Sequence, residues 1–197
     1  MKTALLIVDM QNDFLPGGSL AVAEGDEILP TINKLQKQYD LIVATQDWHP
    51  ADHASFASQH PGKKVYEMAD LAGLPQVLWP DHCVQGSLGA ELSTALDQNR
   101  IAAIFRKGMD PQIDSYSVFF DNGHKKATGL EAYLKGLGIE EVHICGLAAD
   151  YCVFYSAMDA LSLGFKIAIL DQATKAISLE GYETAKRALI AAGGQII

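Results

Sequence analysis

Residues 142–153 read VHICGLAADYCV, an apolar, β-branched run that meets a glycine-containing corner and continues as an amphipathic run. This order predicts a buried strand that leads directly into a helix. Cys152 would lie at the start of that helix, where free backbone N–H groups and the helix dipole favour a thiolate. The position suits a nucleophile, although a small core cysteine on the first helical turn is the alternative.

Short apolar runs of the same kind recur along the chain. They occupy residues 4–8, 41–44, 101–105, 142–145 and 165–170, and residues 195–197 are a candidate edge strand. Each run is continuous rather than alternating, as is typical of a parallel sheet that is covered on both faces. The pattern predicts a mainly parallel sheet of about six strands.

Helical patterns fill the intervals between these runs. We predict helices over residues 26–38, capped by Asp26; from Ser87, with Leu88, Leu92 and Leu96 on one face; from a capping box at Thr128 to Gly136 and Gly138; from Cys152 to Gly164; and from Ser178 to Gly193. Alternating strands and helices predict an α/β fold, a three-layer, doubly wound domain with helices on both faces of the sheet. Because no linker or repeat divides the chain, residues 1–197 are predicted to form a single domain.

Composition and charge restrict the function classes. The 197 residues are 49% hydrophobic and 20% charged, with a net charge of -9 and a pI of about 5.0. Nucleic acids and anionic membranes attract basic patches, so this balance argues against both as partners. The cysteines, Cys83, Cys145 and Cys152, are odd in number and widely spaced, which argues against a disulfide framework.

The amino-terminal apolar run is short and ends at Asp9. It lacks the long apolar region and the small-residue cleavage site of a signal peptide. No stretch approaches the about 18 apolar residues of a membrane span. We therefore expect a cytoplasmic location in a reducing compartment.

Polar side chains follow the predicted strands where each strand ends. Asp9 follows the first strand, Asp47 and His49 the second and Lys107 the third, and Cys152 lies just past the corner after the fourth. Ligands of open α/β sheets bind beyond the carboxyl ends of the strands, so we expect these side chains to meet. Asp9 would accept the thiol proton, and Lys107 would lower the pKa of Cys152. Taken singly, Asp9 is also consistent with a turn residue and Lys107 with a solvated lysine.

Histidines concentrate in the segment 49–86, which is long, loop-like and rich in proline, glycine and aromatic residues. Long loops in compact domains usually carry function. Asp47 and His49 would point the same way in an extended chain, and His82 would close the set. One carboxylate with imidazoles suits zinc, manganese or iron, with positions open for water or substrate. The alternative is a group of loop histidines at an exposed surface.

Five motifs lie in order along nearly the whole chain. They are DMQNDF at 9–14, DWHP at 47–50, WPDHCV at 79–84, KG at 107–108 with DSYS at 114–117, and GLAADYCV at 146–153. Together they resemble the bacterial nicotinamidases (pyrazinamidases), a family of isochorismatase-like cysteine hydrolases. The metal pair combined with WPDH is the most specific part of the resemblance.

The resemblance implies a role for each candidate residue. It implies a catalytic triad of Asp9, Lys107 and Cys152, and an oxyanion hole formed by the N–H groups of Ala148 and Cys152, beside a cis peptide between Leu147 and Ala148. It implies the metal ligands Asp47, His49 and His82, while His53 matches a position that ligates the metal in only some members. It implies that Phe14 and Trp79 sandwich the pyridine ring of the substrate and that Tyr116 lines the pocket.

The implied activity is hydrolysis of nicotinamide to nicotinate and ammonia through a cysteine thioester, in NAD salvage, with pyrazinamide as a second substrate. The implied cofactor is one divalent metal ion, zinc foremost, with iron or manganese as alternatives. The sequence leaves the oligomeric state open, and a homo-oligomer is one option.

Other functions fit parts of the same pattern. A related amidohydrolase acting on carbamoyl or ureido substrates would share the triad but not the metal cluster. An isochorismatase, which hydrolyses a vinyl ether, would not need Cys152. A metal-binding or thiol-sensing protein would leave Asp9 and Lys107 unexplained. Metal content and ammonia release separate these alternatives.

Overall fold

Strands and helices alternate along the chain, and the computed structural model describes residues 2–197. The strands are β1 Thr3–Val8, β2 Leu41–Asp47, β3 Met68–Leu71, β4 Leu74–Val77, β5 Ala103–Lys107, β6 Glu141–Leu147, β7 Lys166–Lys175 and β8 Gln195–Ile196. The α-helices are α1 Leu29–Leu35, α2 Leu130–Gly136, α3 Phe154–Ser162 and α4 Leu179–Ala191. A π-helical turn, Ala149–Val153, joins β6 to α3, and 3-10 turns cover Asn12–Phe14, Gln36–Gln38 and Ala57–Gln59. Within the described residues, no helix is long and apolar enough to span a bilayer.

Six strands form one sheet in the order β5-β2-β1-β6-β7-β8, and every neighbouring pair is parallel. This arrangement confirms the predicted parallel sheet. β2 and β5 lie in turn on one side of β1, and β6, β7 and β8 lie in turn on its other side. The strand order therefore reverses between β1 and β6, and a crevice at such a reversal is the usual ligand site of an open α/β sheet.

The register of the strands decides which polar side chains meet. Asp47, the last residue of β2, is the direct partner of Lys107, the last residue of β5. Val8 pairs with Gly146 across β1 and β6, so Asp9 follows directly beside the corner at the end of β6. Side chains from the ends of four strands thus converge at one edge of the sheet.

The two faces of the sheet pack against different helices. Leu5 and Ile7 of β1 belong to the same apolar cluster as Ile32 of α1. Leu6 and Val8 belong to a second cluster, with residues of α2, α3 and α4. Full burial of one such aliphatic side chain contributes about 1.5–3 kcal/mol, so the alternation of β1 between the faces stabilises both helical layers. This confirms the prediction of helices on both faces.

The helix predicted from Ser87 is wrong, because this segment forms turns. The carbonyl groups of Gly89 and Glu91 accept hydrogen bonds from the backbone of the turn after β1, rather than from a following helical turn. Leu88 is 73% exposed, so the spacing of the leucines does not mark one buried face. Tertiary pairing overrides a helical pattern here.

Helix α1 begins later than its sequence predicts. It starts at Leu29 rather than at Asp26, and it tightens into a 3-10 turn at Gln36–Gln38. Pro30 lies in its first turn, as predicted. Because first-turn N–H groups have no partner within the helix, proline costs little there and the helix can begin beside it.

The predicted side-chain caps at Thr128 and Ser178 have different outcomes. The capping box at Thr128 forms only in part: Gly129, with a φ of 90°, precedes α2, and Thr128 Oγ1 accepts the N–H of Leu130 at 3.2 Å, whereas Glu131 pairs with Lys135. The Thr128 hydroxyl also donates to the carbonyl of Val118 at 2.7 Å. Ser178 caps α4 as predicted, by accepting the N–H of Gly181 at 3.1 Å.

The segment 49–86 is not a plain loop, because it contains the antiparallel hairpin of β3 and β4, which lies outside the main sheet. Ala72 and Gly73 form the turn, with φ values of 53° and 84°. Two left-handed residues in succession are the geometry that a tight hairpin turn requires. The loop prediction is therefore wrong for the hairpin residues.

Candidate active site

Four side chains meet at the carboxyl edge of the sheet. Asp9 follows β1, Asp47 ends β2, Lys107 ends β5, and Cys152 lies in the π-helical turn after β6. All four are buried. A carboxylate oxygen of Asp9, a carboxylate oxygen of Asp47 and the sulfur of Cys152 lie within 4.8 Å of one another. The structure thus brings together the residues that the predicted strand ends indicated.

Lys107 is the centre of this cluster. Its ammonium nitrogen lies 2.6 Å from Asp47 Oδ1, 3.0 Å from Asp9 Oδ2 and 3.4 Å from Cys152 Sγ, and it donates to the carbonyl of Ser115 at 2.9 Å. Burial opposes its charge, but the two carboxylates hold the pKa of Lys107 well above its usual value. Lys107 is therefore a buried, fixed cation rather than a solvated surface lysine.

The two carboxyl groups that share this lysine differ in pKa. Burial raises the pKa of Asp9, and Lys107 offsets that effect only in part. Burial acts on Asp47 as well, but there Lys107 and His49 together hold the carboxyl pKa well below its usual value. Asp9 is therefore the better proton acceptor, whereas Asp47 stays an anion.

Cys152 is a buried thiol. Burial raises the pKa of the thiol well above its usual value, although Lys107 lowers it in part. The predicted lowering of the thiol pKa by Lys107 is present, but desolvation is the larger effect. Removal of the proton must accompany attack by the sulfur, and that gives Asp9 a defined task.

The turn that carries Cys152 follows a sharp corner. The peptide between Leu147 and Ala148 is cis, as the resemblance implied. Gly146, with a φ of 107°, comes directly before it, and a Cβ there would lie 2.1 Å from the carbonyl oxygen of Val8. Only glycine fits so close to β1, so this residue lets β6 reach the corner beside Asp9.

Sequence reasoning missed the buried polar residues that hold the cluster in place. Thr45 Oγ1 lies 2.6 Å from Asp9 Oδ1. The amide of Gln11 binds the backbone N–H and carbonyl of Asp47 at 2.7 and 2.8 Å. The carboxylate of Asp150 accepts two backbone N–H groups of the loop before α4, each at 2.9 Å. Gln11 and Asp150 lie inside the quoted motifs, which was the available signal for these two.

Asp47, His49 and His82 form the candidate metal centre. Asp47 Oδ2 lies 3.4 Å from His49 Nε2 and 3.7 Å from His82 Nε2. The Nδ1 atoms of the two histidines face backbone carbonyls, that of Gly108 at 2.8 Å and that of Pro80 at 2.7 Å. Because a carbonyl can only accept, each Nδ1 carries a proton, and in the neutral ring Nε2 presents a lone pair.

This set of donors fits a divalent metal ion. One carboxylate oxygen and two imidazole nitrogens leave positions open for other ligands. His49 Nε2 is buried and has no hydrogen-bond partner among the described residues. A buried polar atom without a partner costs about 1–3 kcal/mol, and a bound metal ion would remove that cost. Burial opposes a charge on His49, but Asp47 raises its pKa, so this pocket attracts a cation to Nε2, whether a proton or a metal ion.

His53 lies beside this centre, with its ring 4.3 Å from the ring of His49. Its Nδ1 accepts the backbone N–H of Ser55 at 3.2 Å, so the ring proton belongs on Nε2. Burial lowers the pKa of His53 to about 4, which keeps the ring neutral. Nδ1 also lies 2.7 Å from the Ser55 hydroxyl, and Nε2, like that of His49, is buried without a hydrogen-bond partner among the described residues. A metal-binding role for His53 stays a prediction.

A cavity with aromatic walls opens in front of Cys152. Phe14, Trp79, Tyr116 and His82 line it together with the thiol. Phe14 and Trp79 are 5% and 4% exposed, and Trp79 packs edge-on against Tyr116 with the ring centres 6.3 Å apart. Flat apolar walls with a few convergent polar groups suit a small planar ligand.

The hairpin braces one wall of this cavity through Gln76 of β4. Its buried amide nitrogen lies 2.8 Å from Tyr116 Oη and 2.9 Å from Asp114 Oδ2. Trp79 Nε1 donates to the same tyrosine oxygen at 3.3 Å. Sequence reasoning missed Gln76, because it lies in a segment predicted to be loop and precedes the WPDHCV motif.

Comparisons with known proteins agree along nearly the whole chain. The family described as "Isochorismatase domain" matches residues 3–197. The chain is 48% identical over 186 residues to the nicotinamidase of Escherichia coli (strain K12), which covers 92% of this chain and 87% of that protein. It is 48% identical over 195 residues to the nicotinamidase of Acinetobacter baylyi, which covers 98% of this chain and 91% of that protein.

Solved structures share the fold. A nicotinamidase/pyrazinamidase of Acinetobacter baumanii superposes with a TM-score of 0.97 at 46% identity, covering 100% of this chain and 95% of the other. PnC1 of L. infantum, in complex with nicotinate, gives a TM-score of 0.88 at 40% identity, covering 100% and 92%. The pyrazinamidase of Pyrococcus horikoshii, in complex with zinc, gives 0.81 at 37% identity, covering 100% and 99%. The predicted fold class is confirmed.

Proposed function

We propose that this chain, which belongs to the isochorismatase family, is an amidohydrolase that converts nicotinamide and water to nicotinate and ammonia. The observation that carries the proposal is the convergence of a thiol, a carboxyl group and a lysine at one aromatic-walled cavity that also adjoins the metal-binding residues. Identity of 48% to the nicotinamidases of two bacteria supports the same substrate. We propose that the product, nicotinate, is used in NAD salvage.

The cavity walls would orient the substrate. Phe14 and Trp79 would lie against the two faces of the flat pyridine ring, and Tyr116 would limit its position in the plane. This arrangement places the carboxamide carbon beside Cys152 Sγ and replaces a bimolecular encounter with a positioned one. A pyrazine ring has the same shape, so we propose pyrazinamide as a second substrate.

The first chemical step forms a bond between Cys152 Sγ and the amide carbon. Asp9 takes the thiol proton as the sulfur attacks, and the carbonyl electron pair moves onto the oxygen. The N–H groups of Ala148 and Cys152 would stabilise that oxyanion, and one such donor typically contributes about 3–4 kcal/mol. Lys107 stays protonated and limits the repulsion between the carboxylates and the developing negative charge.

The second step releases ammonia and then the acid. Asp9 returns its proton to the amide nitrogen, the carbon–nitrogen bond breaks, and a thioester on Cys152 remains. Asp9 then takes a proton from a water molecule, whose oxygen attacks the thioester carbon. The carbon–sulfur bond breaks, the thiol regains its proton, and nicotinate leaves.

Asp47, His49 and His82 would hold the metal ion, and the bound ion would supply a Lewis-acid contact for the ring nitrogen. We propose zinc, because this donor set is typical of zinc and the Pyrococcus horikoshii relative was solved with zinc. Iron and manganese accept the same donors, so metal analysis of the purified protein decides between them. The carbonyls of Gly108 and Pro80 keep the two imidazole rings in orientation.

The rival functions account for fewer of these residues. A carbamoyl or ureido amidohydrolase leaves the three metal-binding side chains without a task. A vinyl-ether hydrolase would have no role for Cys152. A thiol sensor or a metal-binding protein would have no role for the Asp9–Lys107 pair. The cytoplasmic location and a homo-oligomeric state stay predictions.

Ammonia release by the purified, metal-replete protein tests the proposed function. Nicotinamide and pyrazinamide should both be hydrolysed, and a chelator should raise the KM for nicotinamide. Benzamide is the matched control, because it has the same size and lacks the ring nitrogen, and it should react far more slowly. No ammonia from nicotinamide, or equal rates for benzamide and nicotinamide, would contradict the proposal.

A further inference from the structure

Thr45 lies directly beside the Asp9 carboxyl group and makes contacts that the proposed mechanism has not used. It belongs to β2, next to β1, and it is fully buried. Its hydroxyl donates to Asp9 Oδ1 at 2.6 Å and accepts the backbone N–H of Asp9 at 3.1 Å. A single hydroxyl therefore fixes both the backbone and one carboxyl oxygen of the same residue.

The other carboxyl oxygen of Asp9, Oδ2, has a different environment. Oδ2 lies 3.0 Å from the ammonium nitrogen of Lys107. It is buried and accepts no hydrogen bond of good geometry from any residue between 2 and 197. Oδ2 and Cys152 Sγ have Lys107 Nζ as a common neighbour, at 3.0 and 3.4 Å, so we assign Oδ2 to the thiol.

Lys107 by itself cannot hold Asp9 in one orientation. The same ammonium group hydrogen-bonds to Asp47, to Cys152 and to the carbonyl of Ser115. Asp9 also has a φ of 48°, a left-handed conformation that non-glycine residues rarely adopt and that surrounding contacts must hold. Of the two partners that contact its carboxyl group, only Thr45 binds both its backbone and its side chain.

We infer that Thr45 is a positioning residue that gives the two oxygens of Asp9 different tasks, with Oδ1 anchored and Oδ2 left free to take the proton of Cys152. This inference rests on the proposed hydrolysis. A hydroxyl has one hydrogen, and here Oδ1 receives it, so rotation of the carboxyl group would break that bond and disengage the base from the thiol. Thr45 touches neither the substrate nor the thiol, so its effect on turnover passes through Asp9.

Thr45→Val and Thr45→Ser test this inference. Valine keeps the shape of threonine and removes the hydroxyl, so kcat should fall about 10- to 100-fold while the KM for nicotinamide changes by no more than about twofold. Serine keeps the hydroxyl and should restore kcat to within about threefold of the parent. The matched control is Thr128→Val, because the Thr128 hydroxyl likewise donates one hydrogen bond and accepts one backbone N–H, but its partners are Val118 and Leu130 rather than Asp9, and kcat should stay unchanged.

The metal content of the variants and the turnover of the parent protein distinguish the possible outcomes. Thr45 precedes Asp47 by two residues, so loss of metal in Thr45→Val would show that Thr45 serves the metal centre and would overturn the inference. An unchanged kcat in Thr45→Val would overturn it as well. If the valine variant does not fold, Thr45→Ala and Thr45→Ser form the second pair, and equal kcat in these two contradicts a role for the hydroxyl. Absence of turnover in the parent protein would instead contradict the proposed function.

Discussion

The amino edge of the central sheet, where the strands begin, and the carboxyl edge, where they end, carry similar residue types. The two edges differ in the burial and the hydrogen bonding of these side chains. At the amino edge, Tyr39 Oη lies 2.6 Å from His143 Nδ1, and His143 Nε2 lies 3.5 Å from Glu141 Oε1. These side chains are partly exposed, and each has a partner. Burial raises the pKa of Tyr39 to about 12, but in this group no buried polar atom lacks a partner.

The carboxyl edge has the same kinds of groups under complete burial. Asp9 Oδ2, His49 Nε2 and His53 Nε2 lack a hydrogen-bond partner among residues 2–197. An unpaired buried group costs about 1–3 kcal/mol, so such atoms persist where a ligand or a transferred proton uses them. Three of the four such atoms among residues 2–197 belong to the carboxyl edge, and the fourth, Gln36 Oε1, lies outside the site.

Cys152→Ala should have the largest effect at the carboxyl edge. Loss of the sulfur removes the acyl carrier, so kcat should fall by about 10⁴-fold or more, while nicotinamide still binds in calorimetry. Cys145→Ala is the matched control seven positions earlier, in β6. Its thiol faces only core residues, so turnover should persist with a loss of about 1–2 kcal/mol in the free energy of unfolding. Retained turnover in Cys152→Ala would contradict the thioester mechanism.

Asp47→Ala should remove the metal ion. The variant loses the only carboxylate of the cluster formed with His49 and His82, so metal content should fall at least about tenfold and the KM for nicotinamide should rise at least about tenfold. Metal analysis and steady-state kinetics measure both. Glu141→Gln, at the amino edge, changes a carboxylate that pairs with His143 and should alter neither. Full metal content in Asp47→Ala would contradict the assignment of the centre.

Lys107→Met should lower kcat by about 100- to 1,000-fold, because it removes the cation between two buried carboxylates. Burial of Asp9 then acts without the opposing charge, so its pKa rises further and the base stays protonated over more of the pH range. Lys2→Met removes a lysine that lines a groove at the amino edge with Tyr39 and His143, and it should leave kcat unchanged. Equal kcat in Lys107→Met and the parent enzyme would contradict a role for the shared ammonium group.

Gln76→Leu should act on substrate binding more than on chemistry. Tyr116 and Asp114 lose their common donor, so the cavity wall loosens, and the KM for nicotinamide should rise about 3- to 10-fold with kcat within about twofold. Gln38→Leu is the control, because Gln38 lines a surface groove with Tyr39 and His143 at the amino edge, and it should change neither constant. A fall in kcat alone would contradict a role for Gln76 in supporting the wall.

Tyr39→Phe should have the smallest effect. It removes the hydroxyl that contacts His143, so the free energy of unfolding should fall by about 0.5–1.5 kcal/mol while turnover stays within about twofold. Tyr116→Phe removes a hydroxyl from the cavity wall and should raise the KM for nicotinamide. If Tyr39→Phe reduces turnover as much as Tyr116→Phe does, the distinction between the two edges fails.

The strand ends were predictable because parallel strands deliver their next residues to one edge. The apolar runs before Asp9, Asp47 and Lys107 therefore sufficed to place these side chains together, whatever the exact strand bounds. The helix predicted from Ser87 was not recoverable in this way. Its leucine spacing is helical, but its carbonyls pair with the turn after β1, and a local pattern carries no information about such a partner.

The residues that hold the site were harder to predict for the same reason. Thr45 lies 36 positions from Asp9 along the chain, and Gln76 lies 40 positions from Tyr116. A single threonine in an apolar strand resembles any other. Only the pairing of β1 with β2, and the docking of the hairpin, show what these side chains contact.

The sequence by itself determined the alternation of strands and helices, the convergence of Asp9, Asp47, Lys107 and Cys152, and the resemblance that named a substrate. The tertiary structure alone decided the charge states, because they depend on burial and on distances between segments that are far apart in the chain. Burial raises the pKa of Cys152 and of Asp9, whereas Asp47, on the same lysine, stays an anion. The thiol that the sequence placed at a helix start is therefore neutral at rest, since desolvation inside the folded sheet outweighs the local charge.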